Sequence, residues 1–248
     1  MIDPYQRPHD HPSLAVGVAH VWRAAIDPAP ADFAALSATL SADERARAAR
    51  FHFDRDRNKY VAARGILRRL LARYTGNDAA GLLFRYGPRG KPELDGGGVA
   101  QAVQFNVSHR GGFALYAFVM AREVGVDVEF VREVSEARAI ARNHFTPAEI
   151  RLLESAADER AAQERFFRLW TRKEAVIKAV GTGLSMPLDE FDVSSEQSDS
   201  APDNSWRSIP VPARPETAWA VCDIPVVDGY RGALCIAGES VEIRFFSV

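Results

Sequence analysis

A chain of 248 residues is long enough for one large domain or two small halves. With 47% apolar and 26% charged residues it has an ordinary globular balance, which excludes disordered, collagen-like and coiled-coil chains. The net charge of −2 hides an uneven distribution: residues 41–74 hold ten Lys/Arg against four Asp/Glu, whereas residues 189–203 hold six acids and no base. Such asymmetry suits an anionic partner for the first half, or else a solvated helix face laced with ion pairs.

In chain order, residues 13–22 alternate loosely and read as an early strand. Residues 32–40 and 41–51 follow as helices, the second opened by Ser41 with Glu44 three residues on, the spacing of a capping box. Residues 56–74 form a long helix with Tyr60, Ala63, Leu67, Leu70 and Leu71 on one face and arginines on the other, ended by Thr75-Gly76-Asn77. A short strand at 82–86 leads into the turn-rich Gly87-Pro88-Arg89-Gly90-Lys91-Pro92. Strands at 104–107 and 113–121, joined by a 108–112 loop, precede another at 124–131. Helices follow at 135–144, 147–156 and 163–180, the last stopped by Gly181 and Gly183. Residues 194–216, rich in Ser, Asp and Pro, read as a mobile loop, and strands near 218–223, 232–237 and 241–246 finish the sheet. The class is α+β, with a seam near 121–124 that separates halves 1–122 and 123–248.

The longest apolar stretch, around 112–121, is about half what a bilayer span requires. The opening residues lack a basic-then-apolar signal pattern, so a cytoplasmic protein without membrane contact is expected. Cys222 and Cys235 are too few for a disulfide framework or a four-ligand structural zinc site.

Asp127 and Glu129 lie two apart in Gly125-Val126-Asp127-Val128-Glu129-Phe130, so in a strand both carboxylates project to one side. Paired hard oxygen ligands suit Mg²⁺ together with substrate phosphates, although for this motif taken alone an amphipathic strand with a wet acidic face is the better reading. On the helix that follows, Trp170, Glu174 and Lys178 recur every four residues and form one stripe. Glu174 and Lys178 could be a plain surface pair. With Lys173 adjacent and a Gly-rich end next, they also fit a metal–diphosphate site. Ser108-His109 lacks the G-x-S-x-G elbow of a hydrolase, and Gly90-Lys91-Pro92 matches neither a Walker A loop nor a dinucleotide fingerprint.

Taken in order, Gly90-Lys91-Pro92, Phe105-Asn106-Val107-Ser108-His109, Gly125-Val126-Asp127-Val128-Glu129 and the run from Phe167 to Leu184 resemble the 4′-phosphopantetheinyl transferase superfamily, in its longer, surfactin-synthetase-activating (Sfp) type. The resemblance implies a monomer of two similar α+β subdomains related by a pseudo-twofold axis, with the active site in the cleft between them. It implies Mg²⁺-dependent transfer of the phosphopantetheine arm of coenzyme A to a serine of an apo carrier protein, releasing adenosine 3′,5′-bisphosphate. By position, Asp127, Glu129 and Glu174 would hold Mg²⁺. Lys178 would contact the diphosphate and His109 a phosphate nearby, and Glu174 would act as base, preferably through a water. Ser108, Lys59 and Arg47 would surround the 3′-phosphate, with Arg64 as the alternative to Lys59, and Arg89, Gly90, Lys91 and Pro92 would line the adenine end.

Three positions depart from the family pattern: Arg110 follows Ser-His, Glu44 stands where a relative has a base, and Lys59 replaces an arginine. Two other classes remain in view. One is a non-catalytic coenzyme A or nucleotide-binding regulator of the same fold. The other is a nucleic-acid-binding module, which lacks any reader motif or interleaved aromatics, so no nucleic-acid partner is expected.

Overall fold

The computed structural model describes residues 3–8, 12–27, 29–194 and 205–248. It is a mixed α+β chain that divides into two compact units. The first takes the described residues up to Phe105, with His109–Ala121 and Glu242–Val248; the second takes Asn106–Ser108 and Arg122–Val241.

In the first unit a four-stranded sheet has β1 (Val18–Ala25) and β5 (Phe113–Met120) at its centre and β4 (Val103–Arg110) beside β5. The outer partner of β1 is β10 (Glu242–Ser247), which runs parallel to it from Val18↔Glu242 to Arg23↔Ser247. The last strand therefore does not complete the sheet of the second half, as its place in the chain suggests, but returns to the first. A separate ribbon pairs β2 (Leu83–Tyr86) with β3 (Pro92–Asp95). Its connection is the Gly-Pro-Arg-Gly turn, where Gly90 takes the left-handed conformation at φ +81° that disfavours a side chain.

Four helices accompany these strands: α1 (Pro30–Ser37), α2 (Ala42–Ala48), α3 (Asp54–Thr75) and the short α4 (Val99–Ala102). Helix α3 carries Asp54 and Asp56 in its first turn and Arg73 in its last, which complements the helix dipole, and Gly76 caps it in the left-handed region. Its buried stripe includes Val61, Ala62, Ile66, Leu67, Leu70 and Leu71. That stripe lies partly to one side of the face expected from the sequence: Tyr60 and Ala63 are half-buried, and Arg68 is buried with the apolar residues.

The second unit has an antiparallel sheet in the order β6-β9-β8-β7, built from β6 (Val124–Phe130), β7 (Arg207–Ile209), β8 (Trp219–Ile224) and β9 (Tyr230–Ala237). Of the 194–216 segment expected as a mobile loop, residues 195–204 lie outside the described residues, and 207–209 are strand. Helices α5 (Ala137–His144), α6 (Pro147–Glu154) and α7 (Glu159–Val180) complete the unit. Helix α7 starts at Asp158, whose carboxylate accepts from Ala161 N at 2.8 Å, and stops at left-handed Gly181. Phe166, Leu169, Val176 and Ile177 on its inner face join the core, each worth about 1.5–3 kcal/mol when fully buried.

Candidate active site

Strand β6 places Gly125, Asp127 and Glu129 on one face by simple alternation. That face lies under α7, not in open water. A Cβ on Gly125 would meet Ala175 O at 2.1 Å and Ala179 N at 2.4 Å, so the helix backbone comes directly onto the strand where the side chain is missing. The next two residues on the same face are the carboxylates, and Glu174 and Lys178 flank the contact on α7. The close approach is what turns an acidic strand face into a cluster.

Lys178 Nζ donates to Asp127 Oδ1 at 2.6 Å and to Ser108 Oγ at 3.0 Å, and Ser108 Oγ–H donates to the same carboxylate oxygen at 2.9 Å. Ser108 is buried on β4, which continues past it to Arg110. The expected 108–112 loop is therefore a tight turn at Gly111-Gly112. Asn106, one alternation earlier, accepts from Val126 N at 3.0 Å and fixes β6 beside it.

Burial raises the Glu174 carboxyl above the usual carboxylate range; Asp127 and then Glu129 push it the same way, with Lys178 opposing. The three acids expected to act together thus share one electrostatic neighbourhood. Arg231, opposite Glu129 in the β6–β9 register, is ion-paired with Glu164. Around Glu174, the carboxylates of Asp127 and Glu129 outnumber the Lys178 ammonium.

Among the described residues, no three His, Cys, Asp or Glu side chains form a closed metal cage. Mg²⁺ does not require one, since it ordinarily keeps waters and substrate phosphates and uses one or two carboxylates. The donor set fits on that basis: hard oxygens in excess negative charge, with the buried Asp127 Oδ2 lacking a hydrogen-bond partner.

Lys173 takes no part in this cluster. It is fully buried on another side of α7, where its ammonium meets Glu149 at 2.8 Å and the carbonyls of Leu188 and Phe191 at 2.6 and 2.8 Å.

The remaining expected residues belong to the first unit. His109 is exposed on β4. Lys59 donates to Gly111 O at 2.9 Å and lies 4.0 Å from Asp27. Arg47 covers the Tyr60 ring at 5.4 Å. Arg89 and Gly90 are exposed at the ribbon turn, with Lys91 and Pro92 half-buried beside them. Arg64 is drawn inward: it pairs with Glu44, donates to Tyr86 Oη and covers the Phe84 ring at 3.9 Å. Glu44 also binds Arg68 at 2.6 Å, so it serves packing, and two of the ten cations in 41–74 are spent inside the unit.

Comparison with known proteins gives a consistent family. Residues 123–235 match the 4′-phosphopantetheinyl transferase superfamily profile, and residues 24–121 match the 4′-phosphopantetheinyl transferase N-terminal profile. The 4′-phosphopantetheinyl transferase HetI of Nostoc sp. is 35% identical over 92% of this chain and 91% of its own length. A putative 4′-phosphopantetheinyl transferase of Synechocystis sp. is 37% identical over 62% of this chain and 61% of its own. The 4′-phosphopantetheinyl transferase Sfp of Bacillus subtilis is 29% identical over 80% and 82%.

Proposed function

The chain belongs to the 4′-phosphopantetheinyl transferase superfamily and is an enzyme of that type, and on that premise we propose an Sfp-type enzyme acting as a cytoplasmic monomer. It moves the phosphopantetheine arm of coenzyme A to a serine hydroxyl of an apo carrier protein. The observation that supports this most is the Asp127, Glu129 and Glu174 neighbourhood with Lys178 bonded into it.

In this reading Asp127, Glu129 and Glu174 hold Mg²⁺, which when bound offsets charge on the diphosphate oxygens. Phosphoryl transfer asks a protein mainly to position in-line groups and neutralise charge. The carrier serine oxygen forms a bond to the phosphorus nearer the pantetheine, and the bond from that phosphorus to the bridging oxygen breaks. Adenosine 3′,5′-bisphosphate leaves, and the serine proton passes to Glu174, directly or through an intervening water. Lys178 stabilises the diphosphate and His109 a phosphate nearby. Ser108, Lys59 and Arg47 take the 3′-phosphate, and Arg89 through Pro92 line the adenine. Lys59 is preferred to Arg64 because Arg64 is already engaged by Glu44 and Tyr86.

The regulator reading predicts coenzyme A binding without turnover, and retention of all three carboxylates weighs against it. The deciding experiment mixes the protein with coenzyme A, Mg²⁺ and several apo carrier proteins and weighs the carriers. A gain of one phosphopantetheine mass, abolished by chelator, is expected; no gain on any carrier overturns the proposal.

A further inference from the structure

In the antiparallel β6–β9 pairing, Glu129 stands directly opposite Arg231, two residues along from the Asp127–Ala233 pair. Directly opposed residues point to the same face, with Cβ atoms about 4.5–5.5 Å apart, and opposite charges so placed attract across the strands. Here the guanidinium turns to another carboxylate. Its Nη2 is ion-paired with Glu164 Oε2 of α7, and its Nη1 donates to Tyr230 O at 2.7 Å. The third nitrogen, Nε, is buried and has no hydrogen-bond partner among the described residues. An idle buried donor is costly, so the guanidinium keeps this orientation against a penalty.

Glu164 reaches Arg231 because of the way α7 lies on the sheet. Ala175 and Ala179 sit over Gly125 near the start of β6, and Lys178 bonds to Asp127 one alternation on. From Gly125 to Glu129 the strand advances about 13 Å, a distance that α7 covers in about nine residues. Counted back along the helix from Ala175, that brings the Glu164 turn level with the Glu129–Arg231 row. The strand thus offers Arg231 one carboxylate and the helix offers it a second.

We propose that Glu164 is a positioning residue for the metal site: it diverts Arg231 from Glu129 and leaves the Glu129 carboxylate available to Mg²⁺. The inference rests on the metal assignment proposed above. Arg231 is then a competitor of the metal, restrained by α7. An ion pair that only fastens α7 to β9 makes a different prediction, since loss of either partner would lower stability and leave metal affinity untouched.

The test is Mn²⁺ binding to the whole protein saturated with coenzyme A, followed by the electron paramagnetic resonance signal of unbound Mn²⁺, with Mg²⁺ as competitor. Both side chains are partly exposed, so glutamine variants keep the fold. Glu164→Gln is expected to weaken Mn²⁺ binding about tenfold or more, because the released guanidinium takes Glu129. Arg231→Gln is expected to bind Mn²⁺ at least as tightly as wild type, and the double variant to return to within about threefold of it. Unchanged affinity in Glu164→Gln overturns the proposal. So does weakened binding in Arg231→Gln, or a double variant as weak as Glu164→Gln, which would make the Glu164 charge itself the attractant. Equal affinities in wild type and all variants overturn this inference alone; wild-type protein that takes up no Mn²⁺ overturns the metal assignment with it.

Discussion

In the first unit, Glu44 stands at the third position of α2, accepts from the backbone of Ser41, and is paired from the following long helix by Arg68 at 2.6 Å. In the second, Glu149 stands at the third position of α6, accepts from the backbone of Thr146 at 2.8 Å, and is paired by Lys173 of α7 at 2.8 Å. Both glutamates are buried, both long helices have 22 residues, and both end on a left-handed glycine. Each unit thus fastens its long helix by the same device, a capping carboxylate reused as a buried ion-pair partner. The helices differ in what else they carry. α3 holds no second acid cluster of the kind found on α7, where Glu174 and Lys178 meet Asp127 and Glu129 with negative charge in excess. Charge that is fully compensated stabilises the fold; charge left in excess is available to a ligand.

Asp127→Asn and Glu174→Gln should separate those two roles most sharply. Each is expected to lower carrier modification roughly a thousandfold or more, with the thermal midpoint within a few degrees of wild type. Turnover near wild type in either variant removes that residue from the metal assignment. Glu149→Ala should do the reverse, leaving Lys173 buried and unpaired at a cost of about 3–5 kcal/mol in denaturant unfolding. Glu44→Ala should cost a comparable amount by stranding Arg68. If one of the two variants is nearly neutral, the devices are not equivalent.

Gly125→Ala tests the contact that brings the helix to the carboxylates, because a methyl group 2.1 Å from Ala175 O must displace backbone. A loss of about 3 kcal/mol is expected, with turnover falling further than stability alone explains, read from unfolding midpoints beside rates. Lys59→Ala should weaken apparent coenzyme A affinity by about tenfold, the loss disappearing with a ligand that lacks the 3′-phosphate. Equal losses for both ligands would withdraw Lys59 from that contact.

A pH-dependent effect belongs to His20, which lies opposite Arg244 in the β1–β10 pairing. Burial, with the Arg244 charge adding to it, lowers its pKa from 6.5 to about 4, and Tyr74 Oη lies 2.9 Å from its Nδ1. The folded state therefore binds fewer protons than the unfolded chain in this range. The contribution is complete above pH 6.5 and is lost as pH falls toward 4. Unfolding free energies of wild type and His20→Gln should converge as pH drops across that window; a constant difference would contradict this.

Much of this construction is legible in the sequence. The β6 alternation put Asp127 and Glu129 together, the four-residue spacing put Glu174 with Lys178, and Ser41 with Glu44 announced a helix start. Other features have no local signal. Arg68 reads as a surface charge and Lys173 as an ammonium of the metal–diphosphate site, because burial of a cation is intelligible only once Glu44 and Glu149 are known to face them. β3, α4 and β7, of four, four and three residues, are too short for a period to register. Gly125 reads as one strand residue among others until α7 lies on it. The parallel pairing of β1 with β10 is set by contacts at opposite ends of the chain.

That pairing bears on the order in which the protein can be made. A ribosome delivers β1 early and its neighbour β10 last, while everything the second unit needs emerges between them. The later-encoded body can therefore mature first, and the earlier one waits with an open sheet edge until the closing strand arrives. Released chains truncated just before residue 242 should then display a protease-resistant second unit beside a first unit that is still digestible.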